Sequence, residues 1–204
     1  ISKNCKFFIM NGSGVNIKKF DYNKKFPKQF TVLMISRIIK DKGIDTYFEA
    51  IEILRKKNID IKFVFCGQTH KGIDSYNFNN FKKKIKKLDI ELILNSKKIK
   101  NIISGSSVVV LPSPYREGVP RSLLEAISIG RPVIGTKVPG IKEVIRHSWN
   151  GYLIKKNSAK DLANYVLKLK GDKKNYKKFC FNSRKLAINK FEVNKVNEVF
   201  ISNI

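Results

Sequence analysis

The chain has 204 residues, of which 42% are hydrophobic, and it carries 42 Lys and Arg against 16 Asp and Glu, a formal net charge of +26 at pH 7. This length predicts one packed domain plus a tail. The apolar runs are no longer than a strand, so we expect no membrane-spanning helix. The charge favours phosphate, anionic lipid or nucleic acid as a partner without choosing among them, and because Lys and Asn occur throughout the chain, we interpret much of it as compositional bias.

The first thirty residues are predicted to be a connecting segment. Residues 7–15 read FFIMNGSGV, and residues 16–29 are polar and rich in Lys, which predicts an exposed connection. The chain opens with Ile1 rather than Met and without a helix cap, as a piece cut from a longer protein does. We therefore assign residues 1–30 to a linker.

Six short apolar runs predict the strands of a sheet. Each is rich in β-branched or aromatic residues and ends in small or polar ones. In chain order they are residues 31–36, residues 61–67, Ile90–Leu94, residues 107–111, residues 132–136 and Gly151–Ile154. Such runs are typical of buried parallel strands.

Segments of helix length, with apolar residues at a 3.6-residue period, separate the strands. They carry Ile44, Phe48, Ile51 and Leu54, then Phe81, Ile85 and Leu88, then Leu123, Leu124 and Ile127. Ser158 with Asp161 resembles a capping box and predicts another helix, and helical stretches over residues 173–190 and 192–202 finish the chain. The alternation predicts an α/β fold, a single Rossmann-like doubly wound parallel sheet over residues 31–170 with C-terminal helices over residues 171–204.

The three cysteines form no recognisable pattern. Cys5, Cys66 and Cys180 are far apart and match no C-x-x-C or zinc spacing, so we expect neither a disulfide framework nor a metal site. This cysteine usage favours a reduced, cytoplasmic compartment.

The strongest functional signal follows the fourth predicted strand, where residues 115–126 read YREGVPRSLLEA. Seven residues separate its two carboxylates, Glu117 and Glu125. From residue 121 the segment predicts a mostly apolar helix that keeps one narrow polar stripe of Ser122, Glu125 and Ser128. A solvated face would be wider and richer in long charged side chains, so we interpret the stripe as contacting a ligand. The alternative is that Glu125 merely faces solvent.

The start of that helix predicts an anion site. Pro120 suits the first turn, where free N–H groups and the positive end of the helix dipole would meet a phosphate beside Gly118. Because Glu117 would repel a phosphate there, we interpret it as accepting hydrogen bonds from sugar hydroxyls placed beyond the phosphates. A salt bridge from Glu117 to Arg116 or Arg121 is the alternative.

A second signal follows the first strand, where residues 36–43 read SRIIKDKG. Arg37 offers a planar donor fork and Lys42 a point charge, a pair suited to a diphosphate. Gly43 opens the next helix. In a chain this basic, two surface charges are the alternative interpretation.

Together these segments resemble the family 4 (group 1) glycosyltransferases, whose C-terminal domain carries a strand followed by G/S-R-x4-K-G and later an E-x7-E motif. The resemblance continues through Gly130, Arg131, Pro132, Val133 and Ile134, through Val138, Pro139 and Gly140 with Glu143, and through residues 150–154. It covers about residues 11–169. The sequence of residues 116–126, REGVPRSLLEA, is most similar to bacterial enzymes that build O-antigen, capsule or lipid-linked oligosaccharide. The chain departs from the family in having Ser107 where Asp is frequent and Pro139 where Gly is frequent.

The resemblance implies a retaining transfer of a sugar from a nucleoside diphosphate, usually UDP, without a bound metal or other cofactor. It implies that Arg37 and Lys42 hold the diphosphate, that Glu125 bonds the ribose hydroxyls, and that Glu117 contacts the transferred sugar. The implied site residues are Glu117, Arg37 and Lys42 at the reaction centre, and Glu125, Gly118, Val119, Pro120, Ser122 and Gly67 around the nucleotide.

The resemblance also implies that the chain is the C-terminal half of a GT-B fold, in which two Rossmann-like domains enclose a cleft. The N-terminal half would precede Ile1 and supply the site for a lipid-linked or glycan acceptor. Residues 7–15 resemble the strand and loop that lead into the C-terminal domain, and we expect this chain alone to transfer no sugar. Peripheral contact with the inner face of the cell membrane stays open.

Two alternatives remain at this point. One is another enzyme on the same two-domain fold, such as a sugar-nucleotide epimerase or a phosphorylase. The other is a basic module that binds membrane or nucleic acid, suggested by the net charge and by the Lys-rich residues 81–88. We interpret that Lys-rich helix as a solvated face and expect no nucleic-acid partner.

Overall fold

Six parallel strands form one sheet in the computed structural model, which describes residues 12–70, 72 and 75–202. The strands are β1 Thr31–Ile38, β2 Lys62–Thr69, β3 Ile90–Leu94, β4 Val108–Leu111, β5 Val133–Thr136 and β6 Gly151–Ile154. Their order is β3-β2-β1-β4-β5-β6, and every pairing is parallel. The predicted doubly wound α/β sheet is confirmed, with each strand within two residues of its predicted bounds.

Helices connect and cover the strands. They are α1 Ile44–Arg55, α2 Phe78–Lys87, α3 Ile99–Ser104, α4 Arg121–Ile129, α5 Ile141–Val144, α6 Ala159–Gly171, α7 Lys173–Lys190 and α8 Val193–Ile201, with a 3-10 helix at Lys40–Lys42. The Ser158 side chain caps α6 by accepting a hydrogen bond from the Asp161 N–H at 3.2 Å, as predicted. The short helices α3 and α5 were not predicted, because four to six residues show too little of a helical period.

The sheet is buried on both faces, as its continuous apolar runs require. Successive residues of β1 point to opposite sides: Val32 and Met34 pack with α1, α2 and α6, whereas Leu33 packs with α4 and α7. This burial of apolar side chains on both sides supplies the main stabilisation of the domain. It leaves the two ends of the strands as the places where polar groups gather.

Residues 12–25, which we call the strap, lie along the surface and are tied to the body of the domain. Half of the strap residues are exposed, whereas Val15 and Phe20 are buried. The Val15 N–H donates to the Phe191 carbonyl at 2.7 Å, and the Val193 N–H donates to the Val15 carbonyl at 3.1 Å. Residues 1–11, which hold Cys5 and most of the run likened to the family's connecting strand, lie outside the described residues.

Arg131 fastens one end of the strap from inside the protein. Its side chain is fully buried and donates to the carbonyls of Asn23 at 3.2 Å, Lys25 at 2.8 Å and Ser104 at 2.8 Å. Burial lowers the pKa of this guanidinium. In the described part of the chain its Nε has no hydrogen-bond partner. The GRPVI segment therefore serves the fold through its arginine.

Arg184 fastens the other end of the strap. Its guanidinium donates to the carbonyls of Ile17 at 3.3 Å, Phe20 at 3.1 Å and Ser128 at 2.7 Å. The Ser128 hydroxyl is fully buried and donates to the Phe20 carbonyl at 2.6 Å. Ser128 thus binds the strap rather than facing a cavity, so the interpretation of the whole α4 stripe as ligand-contacting was wrong at its last member.

Candidate functional site

A cavity of about 650 Å³ lies where the carboxyl ends of β1, β2 and β4 meet. From β1 the chain proceeds to β2 on one side, and from β4 it proceeds to β5 on the other. Such a reversal opens a crevice beyond the strand ends, which is where ligands of doubly wound sheets bind. The predicted site residues that line the cavity are Arg37, Lys42, Gly67, Glu117, Pro120, Ser122 and Glu125. Gly118 and Val119 belong to the adjoining loop but do not line it.

Lys42 and Glu117 form an ion pair across the cavity. The Lys42 Nζ lies 2.7 Å from both carboxylate oxygens of Glu117, and the two side chains are 19% and 13% exposed. The sequence alternative paired Glu117 with Arg116 or Arg121, and that pairing was wrong. Two residues that lie 75 positions apart in the sequence therefore meet at this cavity.

The backbone around Lys42 is fixed by contacts with the loop after β4. Lys42 ends the 3-10 helix, and Gly43, at φ +74°, opens α1 as predicted. A Cβ on Gly43 would overlap the Pro112 carbonyl oxygen, so no larger residue fits without a shift. The Ser113 hydroxyl also donates to the Asp41 carbonyl at 2.7 Å. These contacts hold the loop that carries Lys42 against the loop that leads to Glu117.

The Glu117 backbone is held in turn by the segment of residues 138–140. The Glu117 N–H donates to the Pro139 carbonyl at 3.2 Å. Gly140 has φ +85°, and a Cβ on it would overlap the carbonyl oxygens of Glu117 and Gly118. Only glycine combines that dihedral angle with so close an approach. The VPG motif therefore positions the first carboxylate of the site.

Helix α4 presents the second carboxylate. The helix begins at Arg121, and Pro120 is its N-cap with an extended backbone, one position earlier than predicted. Ser122 and Glu125 face the cavity, and Glu125 is 14% exposed. Burial raises the pKa of Glu125, opposed by the charge of Arg121 at 3.9 Å and by that of Lys19. Because this carboxylate is largely shielded from water, a hydrogen-bond donor on a ligand would stabilise its ionised form.

Arg37 and Ser36 end β1 at the cavity with their side chains uncommitted. Within the described ranges, no hydrogen bond or ion pair engages the exposed guanidinium of Arg37. The buried Ser36 hydroxyl likewise finds no partner there. Gly67, beside them at the end of β2, is required by packing, because a Cβ on it would overlap the Ser36 carbonyl oxygen.

Sequence reasoning missed part of the lining. Ser96 reaches the cavity from the loop after β3, Ile99 from the start of α3, and Gln68 from β2. No motif marks them, and α3 itself is too short to leave a periodic signal. Its position at the cavity mouth follows only from the assembled sheet.

The residues that the structure describes include no group of three His, Cys, Asp or Glu side chains that could hold a metal ion. In the same residues, no helix combines the length and the apolar character needed to cross a membrane. The site without a metal that the sequence suggested stays a prediction.

The cavity combines groups for two kinds of ligand atom. Arg37, Lys42 and the N-terminus of α4 offer positive charge and N–H donors, which suit phosphate oxygens. Glu117 and Glu125 offer acceptors, which suit hydroxyl groups. A ligand that carries both a diphosphate and several hydroxyls matches this arrangement.

Comparison with known proteins gives a consistent result. The sequence profile of the family described as "Glycosyl transferases group 1" matches residues 16–186. The capsular polysaccharide biosynthesis glycosyltransferase CapM of Staphylococcus aureus is 26% identical over 192 residues, which cover 89% of this chain and 50% of that protein. The UDP-Gal:alpha-D-GlcNAc-diphosphoundecaprenol alpha-1,3-galactosyltransferase of Escherichia coli is 28% identical over 214 residues, covering 94% of this chain and 53% of that enzyme. The chain spans about half the length of these curated relatives.

A solved structure shows the same relation. The C-terminal domain of the glycosyl transferase group 1 family protein LpcC from Francisella tularensis superposes with a TM-score of 0.75 at 26% identity. The superposition covers 88% of this chain and 100% of that domain. The fold seen here is thus the fold of that C-terminal domain, as the predicted fold class stated.

Proposed function

Because the chain belongs to the group 1 glycosyltransferases, we propose that it forms the donor-binding half of an enzyme that transfers a sugar from a nucleoside diphosphate. In this proposal the donor is a UDP-sugar and the acceptor is a lipid-linked or polysaccharide glycan that the other half of the enzyme holds. The observation that carries it is the meeting of Arg37, Lys42, Glu117 and Glu125 in one cavity at the switch point of the sheet. Relatives named for capsule synthesis and for UDP-Gal support the substrate classes.

The cations of the cavity bind and stabilise the diphosphate. Arg37 meets it with a planar fork of donors, and Lys42 and the first N–H groups of α4 add positive charge near the bond that breaks. Negative charge grows on the diphosphate as the sugar departs, and preorganised donors stabilise that charge most when they are shielded from water. In this proposal they take the place of a metal ion, and the transfer retains the configuration at the sugar carbon.

The carboxylates recognise hydroxyl groups. Glu125, which is partly desolvated, accepts hydrogen bonds from the ribose hydroxyls. Glu117 accepts hydrogen bonds from the transferred sugar. A Cβ placed on Gly118, in the adjoining loop, would meet no atom within 4 Å, so packing does not require glycine there and the space is left for ligand atoms.

The acceptor defines where the reaction takes place. An acceptor attached to a lipid diphosphate, as in the name of the Escherichia coli relative, lies at a membrane surface. We therefore also propose that the enzyme acts in the cytoplasm and makes peripheral contact with the inner face of the membrane. It has no nucleic-acid partner in this proposal.

Calorimetric titration of the chain with UDP, GDP and ADP, and then with sugars linked to the preferred nucleotide, tests the proposal. We expect binding of UDP and its sugars in preference to the purine nucleotides. Salt-dependent binding to DNA or to anionic vesicles, without binding of any nucleotide sugar, would contradict it and favour the basic-module alternative. Conversion of a bound UDP-sugar into its epimer, in place of transfer, would favour an epimerase.

A further inference from the structure

The two cations of the cavity are in different states. Arg37 has no ion-pair partner within the residues described, whereas Lys42 already holds both oxygens of Glu117 at 2.7 Å. With side-chain exposures of 19% and 13% the pair is partly shielded from solvent, so its attraction is stronger than that of a surface pair. The Glu117 carboxylate therefore stands where an anionic ligand of Lys42 would bind.

The pair is a preformed feature of the fold. The Lys42 loop is fastened by Gly43 and Ser113 to the loop after β4. The Glu117 loop is fastened by Pro139 and Gly140. These contacts hold both loops in place, so we expect the two charges to separate by rotation of the side chains.

A phosphate that binds Lys42 must contend with that carboxylate. Two anionic groups within a few ångströms of one ammonium repel each other, and the cost rises as water is excluded. The incoming phosphate is favoured only if Glu117 swings away, and a displaced, partly buried carboxylate needs new hydrogen-bond donors. Sugar hydroxyls supply such donors, whereas a nucleoside diphosphate without a sugar does not supply them at that place.

We propose that Glu117 is a resident anion that exchanges with the donor: Lys42 passes from Glu117 to the diphosphate, and the released Glu117 binds the sugar hydroxyls. After transfer the sugar is gone, Glu117 recovers Lys42, and the nucleoside diphosphate is expelled. The exchange makes the site prefer the sugar-bearing donor over its own product. It rests on the proposed function for the identity of the ligand, but not for the competition itself.

Inorganic pyrophosphate and UDP, titrated separately by calorimetry, measure the competition. Glu117→Gln should bind both at least about fivefold more tightly than the wild type, since the competing charge is gone. Glu117→Asp keeps the charge but shortens the side chain, and should bind both more tightly by a smaller factor. Glu91→Gln is the matched control: Glu91 pairs with Lys62 at 2.6 Å near the start of the strands, and the substitution changes net charge equally. It should leave both affinities within about twofold.

A double-mutant cycle adds a measurement that a purely structural role would not move. Lys42→Met should weaken pyrophosphate binding more in the Glu117→Gln background than in the wild type, because only there is Lys42 free before binding. Thermal unfolding of each variant confirms that it is folded.

The outcomes separate the exchange from the proposed function. Unchanged or weaker binding of pyrophosphate and UDP by Glu117→Gln, with UDP still bound by the wild type, overturns the exchange and leaves the function standing. Tighter pyrophosphate binding without preference for any nucleotide supports the exchange and contradicts the function. Failure of both wild type and Glu117→Gln to bind pyrophosphate or UDP overturns both.

Discussion

The two ends of the sheet use basic side chains in opposite ways. At the amino ends, Arg131 and Arg184 bond backbone carbonyls of the strap and the neighbouring helices. At the carboxyl ends, Arg37 has no partner in the described chain and Lys42 is paired with the side chain of Glu117. The first pair of cations bonds carbonyls that belong to the backbone, so it holds the fold. The second pair lines the cavity and, among the residues that the structure describes, bonds no backbone carbonyl.

The largest expected effect tests the arginines at the amino ends of the strands. Arg131→Met should lower the free energy of unfolding by about 3 to 5 kcal/mol, because carbonyls at three positions lose one fully buried, charged donor at once. Urea denaturation followed by circular dichroism measures it. Arg116→Met, at an exposed arginine near the cavity, is the control and should change stability by less than about 0.5 kcal/mol. A loss below about 1 kcal/mol for Arg131→Met would show that the strap is held by other contacts.

The next largest effect tests the cations at the carboxyl ends of the strands. Arg37→Ala should weaken UDP binding by about 1.5 to 3 kcal/mol, the range for hydrogen bonds to a charged group, while the unfolding midpoint stays the same. Calorimetry and thermal unfolding measure the two quantities. Arg116→Ala removes an equal charge outside the cavity and should retain UDP binding. Equal losses from both variants would mean that only the general positive field matters.

A third variant changes the backbone that positions Glu117 at the carboxyl ends of the strands. Gly140→Ala should cost about 1 to 2 kcal/mol of stability from the left-handed φ alone, and it should also weaken UDP-sugar binding by displacing Glu117. Gly171→Ala is the matched control, since a Cβ there meets no atom within 4 Å, and it should be neutral or slightly stabilising. Normal sugar binding by a destabilised Gly140→Ala protein would separate the VPG turn from the site.

The smallest expected effect concerns Glu125, which belongs to neither pair of cations. Glu125→Gln should weaken UDP binding by about 1 kcal/mol, as one hydrogen-bonded group becomes a neutral acceptor. It should also raise the unfolding midpoint at neutral pH. The pKa of Glu125 is raised in the folded chain, so the ionised form opposes folding once the pH exceeds the ordinary value of 4.5, and Gln removes that penalty.

The pH dependence of this stability difference is its check. Below the ordinary carboxyl pKa, Glu125 is protonated in both states, so variant and wild type should have similar midpoints there. The difference should open as the pH rises through the raised pKa of the folded state and then stay constant. If the unfolding midpoints of Glu125→Gln and the wild type differ by the same amount from acid to neutral pH, the effect comes from packing and not from ionisation.

Sequence patterns predicted the sheet well, because each strand carries its own local signal. Ile90–Leu94 and Gly151–Ile154 have the predicted bounds, since apolar runs flanked by polar residues define a buried strand without reference to the rest of the chain. The motifs also placed Arg37, Glu117 and Glu125 at strand ends or a helix start, which suffices to bring them to one edge of a parallel sheet.

The pairings within the site could not be predicted, since they depend on side-chain directions across loops. Nothing local to Lys42 indicates Glu117 as its partner. Ser128 shares the polar spacing of Ser122 and Glu125, yet its turn of α4 faces the strap. The periodicity identifies a stripe on a helix, but only the packed neighbours decide where each part of the stripe faces.

The strap also constrains the order in which the molecule is assembled. Some of its partners, Arg184 and residues 191–193, lie more than 160 positions later in the chain. During synthesis the strands from Thr31 to Ile154 and their crossover helices can pair as they emerge, whereas residues 15–20 wait for α7. Closing a loop of that length is entropically costly and slows folding. We therefore expect protease-sensitive, unlatched intermediates on nascent chains that stop before residue 184, and resistant ones once α7 has left the ribosome.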